Sequence, residues 1–201
     1  AIIFVITVHE YDSMRCCITA SARYTSFLFC LSRTTSFCGF RLTRLCLRLN
    51  YNGQKFESKH GLLDLLHAEA GDSVIYEPAY YKAKQLEFAF THIEGYGESY
   101  RSFVNGQYTS DGGTHQSAFR EGIFKGVNEF YKKNYNSVDV RDGTFAIVAV
   151  KVKDPVFESQ TKNKLGNTDL RGWIVNETRE AVIDFLHKNS NAAKELEGRI
   201  I

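Results

Sequence analysis

Lys162 and Lys164 stand two residues apart, with Gln160 and Asn163 among them and Gly166-Asn167 just behind. A lysine ammonium is a point charge on a flexible stem and a glutamine amide is an orienting donor. Such a stretch can reach the terminal phosphate of a nucleotide held elsewhere. By residue chemistry alone, a solvated loop is the plainer reading. Asp111-Gly112-Gly113-Thr114-His115 is a second candidate, because the free amides and positive end of a helix attract anions. A sharp turn leading into a helix capped by the Thr114 hydroxyl explains the same letters. In Asp139-Val140-Arg141-Asp142-Gly143 the acids have the chemistry to hold a metal, or a turn holds a local pair between Arg and Asp.

Other catalytic devices are missing. No Gly is followed at P-loop spacing by Gly-Lys-Ser or Gly-Lys-Thr, and Gly95-Tyr96-Gly97 lacks the third glycine of a dinucleotide fingerprint. No serine, histidine and aspartate arrangement announces a nucleophile. His60, His67, His92, His115 and His187 read as surface or helix-end residues.

The elements that must hold these residues follow from periodicity. Leu45, Leu47 and Leu49 alternate with Cys46 and Arg48, Asn52-Gly53 supplies a two-residue hairpin turn, and Lys55 to Ser58 returns. Gly61 to Ala68 spaces its leucines for a short amphipathic helix closed by Gly71-Asp72, and a polar, tyrosine-rich connection follows. Lys84 to Glu94 alternates Leu86, Phe88 and Phe90 with Glu87, Ala89 and Thr91, a half-buried strand. Glycines at 95 and 97 turn the chain into a returning strand, Tyr100 to Asn105. A helix over His115 to Lys133 carries Phe119, Ile123, Val127, Phe130 and Tyr131 on one face. Asp139 to Gly143 reads as a turn and Phe145 to Val152 as a buried strand that Pro155 helps to stop. Past the polar loop, a long helix opens at Asn167 or Thr168 and runs to about Asn189, with Leu170, Ile174, Thr178, Ala181, Phe185 and Leu186 inward. A second helical piece, Ala192 to Ile201, follows. The order strand, strand, helix, strand, helix predicts an α+β fold whose small sheet is covered on one face.

With 25 Lys and Arg against 23 Asp and Glu, the chain has no global pull toward nucleic acid. Any DNA contact must be local. The charge is unevenly spread. Residues 1–50 hold all five cysteines, six arginines, no lysine and two acids, Glu10 and Asp12, whereas residues 51–201 hold no cysteine and are net acidic. Three readings of the first fifty residues compete. Cys16, Cys17, Cys30, Cys38 and Cys46 lack the paired spacing of a zinc site. A disulfide framework calls for an even count and an oxidising compartment. The third reading is that a shifted reading frame has put wrong letters on a real stretch of chain. The apolar run Ala1 to Val8 has no basic leader, and nothing approaches the roughly 18 apolar residues of a spanning helix, so a soluble, cytoplasmic chain is expected.

Several blocks carry a more specific signal. Ser102-Phe103-Val104-Asn105-Gly106, Asp111 to His115 ahead of Phe119-Arg120, Asp139 to Gly143, and Lys151-Val152-Lys153-Asp154-Pro155-Val156-Phe157-Glu158-Ser159-Gln160-Thr161-Lys162 with Lys164-Leu165-Gly166-Asn167 stand in one order and spacing. They resemble, over about residues 51–190, the transducer of the B subunits of type IIA DNA topoisomerases, the gyrase B and topoisomerase IV B proteins. The resemblance implies a left-handed βαβ sheet like the second domain of ribosomal protein S5, with helices on one face, an exception to the right-handed rule. It implies that residues 1–50 are the end of an ATPase domain and the way into the transducer, 51–190 the transducer itself, and 191–201 the start of a linker helix toward the cleavage module. It assigns Gln160 and Lys162, on either side of Thr161, to the γ-phosphate of ATP bound in the neighbouring ATPase domain. It further implies ATP and Mg2+ as cofactors of the complete subunit, with none bound and no activity in this piece alone. DNA, an A-type subunit and a second B subunit are the implied partners, with no membrane, in a chromosome-associated enzyme. Topoisomerase IV fits better than gyrase through the short path Tyr108 to Gly113 and the Phe124 to Lys133 helix. An S5-like RNA-binding module without ATP coupling is the alternative, and the dispersed lysines and net acidic balance of residues 51–201 count against it.

Overall fold

The chain builds two five-stranded sheets. The computed structural model describes residues 60–201 throughout and, before them, the backbone of the strands in the first part of the chain. That first part, Ala1–Asp64, is one unit. Its strands are β1 (Val5–Tyr11), β2 (Arg15–Ala22), β3 (Thr25–Leu31), β4 (Leu47–Tyr51) and β5 (Gln54–Ser58), ordered β3-β2-β1-β4-β5. The expected hairpin is present, with β4 and β5 antiparallel and Tyr51 opposite Gln54. The cysteine readings concern side chains that lie outside the described residues.

The second unit, Leu65–Ile201, is a mixed α/β domain. Helix α1 (Leu62–Ala70) leads into β6 (Ala79–Lys82), β7 (Leu86–His92), β8 (Ser99–Val104) and β9 (Gln107–Tyr108). Then come α2 (Thr114–Tyr131), α3 (Ser137–Arg141), β10 (Thr144–Val150), α4 (Leu170–Lys188) and α5 (Ser190–Ile200). The sheet order is β6-β7-β10-β8-β9. β10 runs antiparallel to β7 and parallel to β8, so β8, α2 and β10 form a βαβ unit.

Phe88 and Phe90 of β7 close on Phe119 of α2, with ring centroids 5.0 and 6.5 Å apart. Around them Val148, Ile123, Val127, Ile174, Val182 and Leu196 are buried in one cluster. Burying such side chains contributes about 1.5–3 kcal/mol each. The two long helices approach closely because α2 presents glycine to α4. A Cβ on Gly122 would lie 2.6 Å from Thr178 Cβ and 2.9 Å from its Cγ2. This crossing turns the inward stripe of α4 toward Ile174, Val175, Thr178, Val182 and Leu186, so Val175 and Val182 are buried where Leu170, Ala181 and Phe185 are only partly covered.

Several expectations need correction. β7 is buried at all seven residues, not at alternate ones. Helices cover the Phe88 face, and the opposite face, which carries Ala89 and Ile147, is closed too. There Leu66 of α1 is buried and Glu69 reaches Arg101 of β8 at 3.1 Å. The tyrosine-rich connection contains the edge strand β6, which pairs with β7 from Ala79 opposite Phe90. Most of the stretch expected as a turn, Asp139 to Arg141, belongs to the short helix α3, begun when the Asn136 side chain accepts from Val138 N. Thr114 does not cap α2. Gly113 holds that position with no side-chain cap bond.

His92 and His115 are buried, not superficial. His92 continues the inward series Leu86, Phe88, Phe90, and His115 lies four residues before Phe119 on the buried stripe of α2. Both follow the periodicity of their elements. His60, His67 and His187 are exposed as expected.

Candidate functional site

β10 ends at Val150, and the chain beyond it is held by side-chain and backbone bonds before it reaches the lysine-bearing stretch. The Asn105 side chain clips Val152, its Oδ1 accepting from Val152 N at 2.9 Å and its Nδ2 donating to Val152 O at 2.8 Å. The chain then folds back on itself. Glu158 N donates to Lys164 O at 3.1 Å, Gly166 N donates to Val156 O at 2.8 Å, and Phe157 bridges Leu165. A stretch read as a polar loop is therefore a narrow hairpin with its tip at Ser159–Asn163.

At the tip, Lys162 N donates to Ser159 O at 3.1 Å, and the Ser159 and Thr161 hydroxyls share a bond of 2.7 Å. Lys162 adopts φ 56°, a left-handed backbone that non-glycine residues seldom take outside tight turns. Gln160, Thr161 and Lys162 are all exposed. The Lys162 ammonium stands 6.0 Å from the centroid of the Phe157 ring. The nearest acid on the hairpin, Glu158, is engaged by Lys164 at 3.0 Å. The tip thus presents an amide, a hydroxyl and an ammonium with no carboxylate of its own, a donor set that suits a phosphate and not a cation.

The base of the hairpin is buried and bonded. Leu165 is fully buried in the core. Its N–H donates to Gly112 O at 3.1 Å, its carbonyl accepts from Thr114 N at 3.0 Å, and Asp111 N donates to Asn163 O at 3.1 Å. The Thr114 hydroxyl, expected to cap the helix, donates instead to Leu165 O at 3.3 Å. The Asp111–His115 stretch is therefore a docking strand for the hairpin, and the Leu165 carbonyl takes the place an anion would need. Sequence reasoning singled out both segments without joining them. Leu165, an apolar residue amid the eleven polar or small ones between Phe157 and Leu170, was the available sign.

In the Asp139–Gly143 segment, Asp142 is used structurally. Asp142 accepts from Gly97 N at 2.6 Å and pairs with Arg199 at 3.5 Å, while Arg141 lies 3.9 Å from Glu98. In place of the expected local pair between Arg and Asp, Arg141 Nε donates to Ser137 O at 2.7 Å and Asp142 takes these longer-range partners. Among the described residues, no group of three or more His, Cys, Asp or Glu is placed to hold a metal ion. No helix among them is long and apolar enough to cross a membrane.

A family model described as DNA gyrase B matches residues 57–201. The chain belongs to the DNA gyrase B family. Within that family, the B subunit of DNA topoisomerase 4 from Borreliella burgdorferi is 53% identical over 156 residues, which is 77% of this chain and 26% of that protein. The B subunit of DNA gyrase from Clostridium acetobutylicum is 31% identical over 164 residues, 69% of this chain and again 26% of the relative. The chain thus spans about a quarter of the length of these gyrase B family proteins. Among solved structures, the 43K ATPase domain of Thermus thermophilus gyrase B superposes with a TM-score of 0.67 at 20% identity, covering 96% of this chain and 66% of that one. The topoisomerase IV ATP-binding domain of Francisella tularensis gives 0.64 at 16% identity with the same coverage. These two likenesses are in fold.

Proposed function

We propose that this chain is the transducer segment of a type IIA DNA topoisomerase B subunit, topoisomerase IV in preference to gyrase. In this reading the Gln160-Thr161-Lys162 tip senses the γ-phosphate of ATP held in the adjacent ATPase domain and links ATP binding and hydrolysis to DNA strand passage. The observation that carries it is the form of the hairpin, whose exposed, acid-free tip stands on a buried and bonded base. The higher identity to a topoisomerase 4 relative than to a gyrase one supports the choice between the two.

The physical sequence is short. ATP supplies the anionic γ-phosphate, and its loss on hydrolysis removes the partner of the tip. Lys162 contributes charge and Gln160 direction, so the tip has different affinities in the two nucleotide states. A loop with that difference shifts the balance between two arrangements of the domains that it joins. The acid that holds Mg2+ belongs to the ATPase domain. Residues 51–190 form the transducer, the β8–α2–β10 unit being the left-handed βαβ of the S5 type, and residues 191–201 begin the linker helix toward the cleavage module. The complete B protein works as a dimer with its A-type partner on chromosomal DNA in the cytoplasm.

The test uses the complete B protein assembled with its A-type partner. Lys162→Ala is expected to abolish ATP-driven strand passage while the unfolding midpoint stays within about a degree of wild type, as for an exposed substitution. Wild-type strand passage in that variant would refute the assignment.

A further inference from the structure

The hairpin is tied to the body of the domain in three ways, by continuity from β10 past the Asn105 clip on Val152, by continuity into α4, and by its bonds to the start of α2. The route into α4 passes through exposed Thr168 and Asp169, α4 begins without a side-chain cap, and the Asn167 side chain there clasps the hairpin's own incoming arm, accepting from Val156 N at 2.7 Å. The bonded route is close and specific. Gly113 runs parallel beside Leu165 at φ +131°, a backbone that L side chains rarely adopt, and a Cβ added there would lie 2.5 Å from Leu165 N and 2.9 Å from its Cα. Those neighbours are backbone atoms of a buried residue and have little freedom to retreat. One residue on, Thr114 begins α2 and donates to Leu165 O. Eight residues further, Gly122 sets α2 directly against Thr178 of α4.

We propose that Gly113 is a positioning residue for the Gln160–Lys162 tip. Its missing side chain lets the hairpin base lock onto the start of α2, so that a displacement of the tip is passed through Leu165 to α2, and from α2 across the Gly122 crossing to α4. This rests on the reading of the tip as the nucleotide sensor. It adds the route and the residue that makes the route stiff.

The two ideas fail separately. In the complete B protein with its A-type partner, the quantity to measure is strand passages per ATP hydrolysed, alongside the unfolding midpoint. Gly113→Ala is expected to lower that ratio by about tenfold or more, since displacements of an ångström at positioning groups have effects of this size or larger. Thr114→Pro is the second variant. It deletes the N–H that bonds Leu165 O, yet proline is well suited to the first position of a helix, so α2 keeps its start. It is expected to lower the ratio in the same direction, which keeps the proposal testable if Gly113→Ala does not fold. Val148→Ala, a core change in β10, serves as the stability control and is expected to lower the midpoint while leaving the ratio unchanged. The proposal is overturned if Gly113→Ala or Thr114→Pro folds with a wild-type ratio, or if the ratio merely follows the midpoint in all three variants. A wild-type ratio in Lys162→Ala would overturn the sensor reading itself.

Discussion

The Tyr76 hydroxyl meets Nδ1 of His92 at 2.6 Å inside the core. His92 Nε2 lies 3.0 Å from Val140 O, which can only accept, so Nε2 carries the proton and Nδ1 accepts from the tyrosine. Burial pushes the Tyr76 hydroxyl well above its ordinary range and so keeps it a donor. Tyr76→Phe removes that donor and strands a buried ring nitrogen. The expected cost is about 1–3 kcal/mol of stability, read by urea unfolding at neutral pH. A loss near zero would mean that water satisfies Nδ1.

The same burial sets a pH dependence. His92 is lowered to about 4, chiefly by burial, and His115 is lowered to about 4 by burial. Each is neutral when folded, whereas the unfolded chain takes up a proton near the ordinary histidine value of about 6.5. A depressed folded value means that the unfolded state binds more protons between these limits. Stability is therefore lost as pH falls from about 6.5 toward 4, and the penalty is complete below the folded value. For His92 the loss is on the order of 3 kcal/mol. Unfolding free energies at pH 7 and pH 5 should differ, and the difference should shrink in His92→Gln. An undiminished difference in that variant would assign the acid sensitivity to other groups.

Helix α5 is fastened near its far end by two side chains, Glu197, which accepts from Lys133 at 2.7 Å and from the Tyr135 hydroxyl at 3.2 Å, and Arg199. Arg199 donates to Gly95 O and, at 3.3 Å, to Asp142 O, and it pairs with the Asp142 carboxylate at 3.5 Å. Charge-assisted bonds of this kind contribute about 1.5–3 kcal/mol. Arg199→Ala is expected to speed amide exchange in α5 by about tenfold or more, while α2 and the central strands keep their protection. Uniform acceleration across the domain would contradict a local fastening.

The α2–α4 crossing predicts opposite signs for two glycine changes. Gly122→Ala overfills the contact with Thr178 and should cost about 1–3 kcal/mol. Gly172 lies on α4 with nothing within 4 Å of an added Cβ. Gly172→Ala should therefore stabilise by about 0.4–1 kcal/mol. Thermal unfolding of the two variants checks both signs at once.

Much of this architecture was present in the letters. Leu86, Phe88 and Phe90 at period two, and Phe119, Ile123 and Val127 at helical spacing, determined β7 and α2 before any tertiary contact was known, because local periodicity dictates which face must leave water. The blocks around Asp111–His115 and Gln160–Asn167 were enough to point to the family. His92 and His115 already stood on the inward faces set by that periodicity, and tertiary structure alone decided which groups would meet the His92 ring in the core, Tyr76 and Val140. It also decided that Leu165 joins those two blocks. Backbone bonds between segments about fifty residues apart leave no periodic trace, and glycine at 113 marks such a contact only once the atoms it makes room for are known.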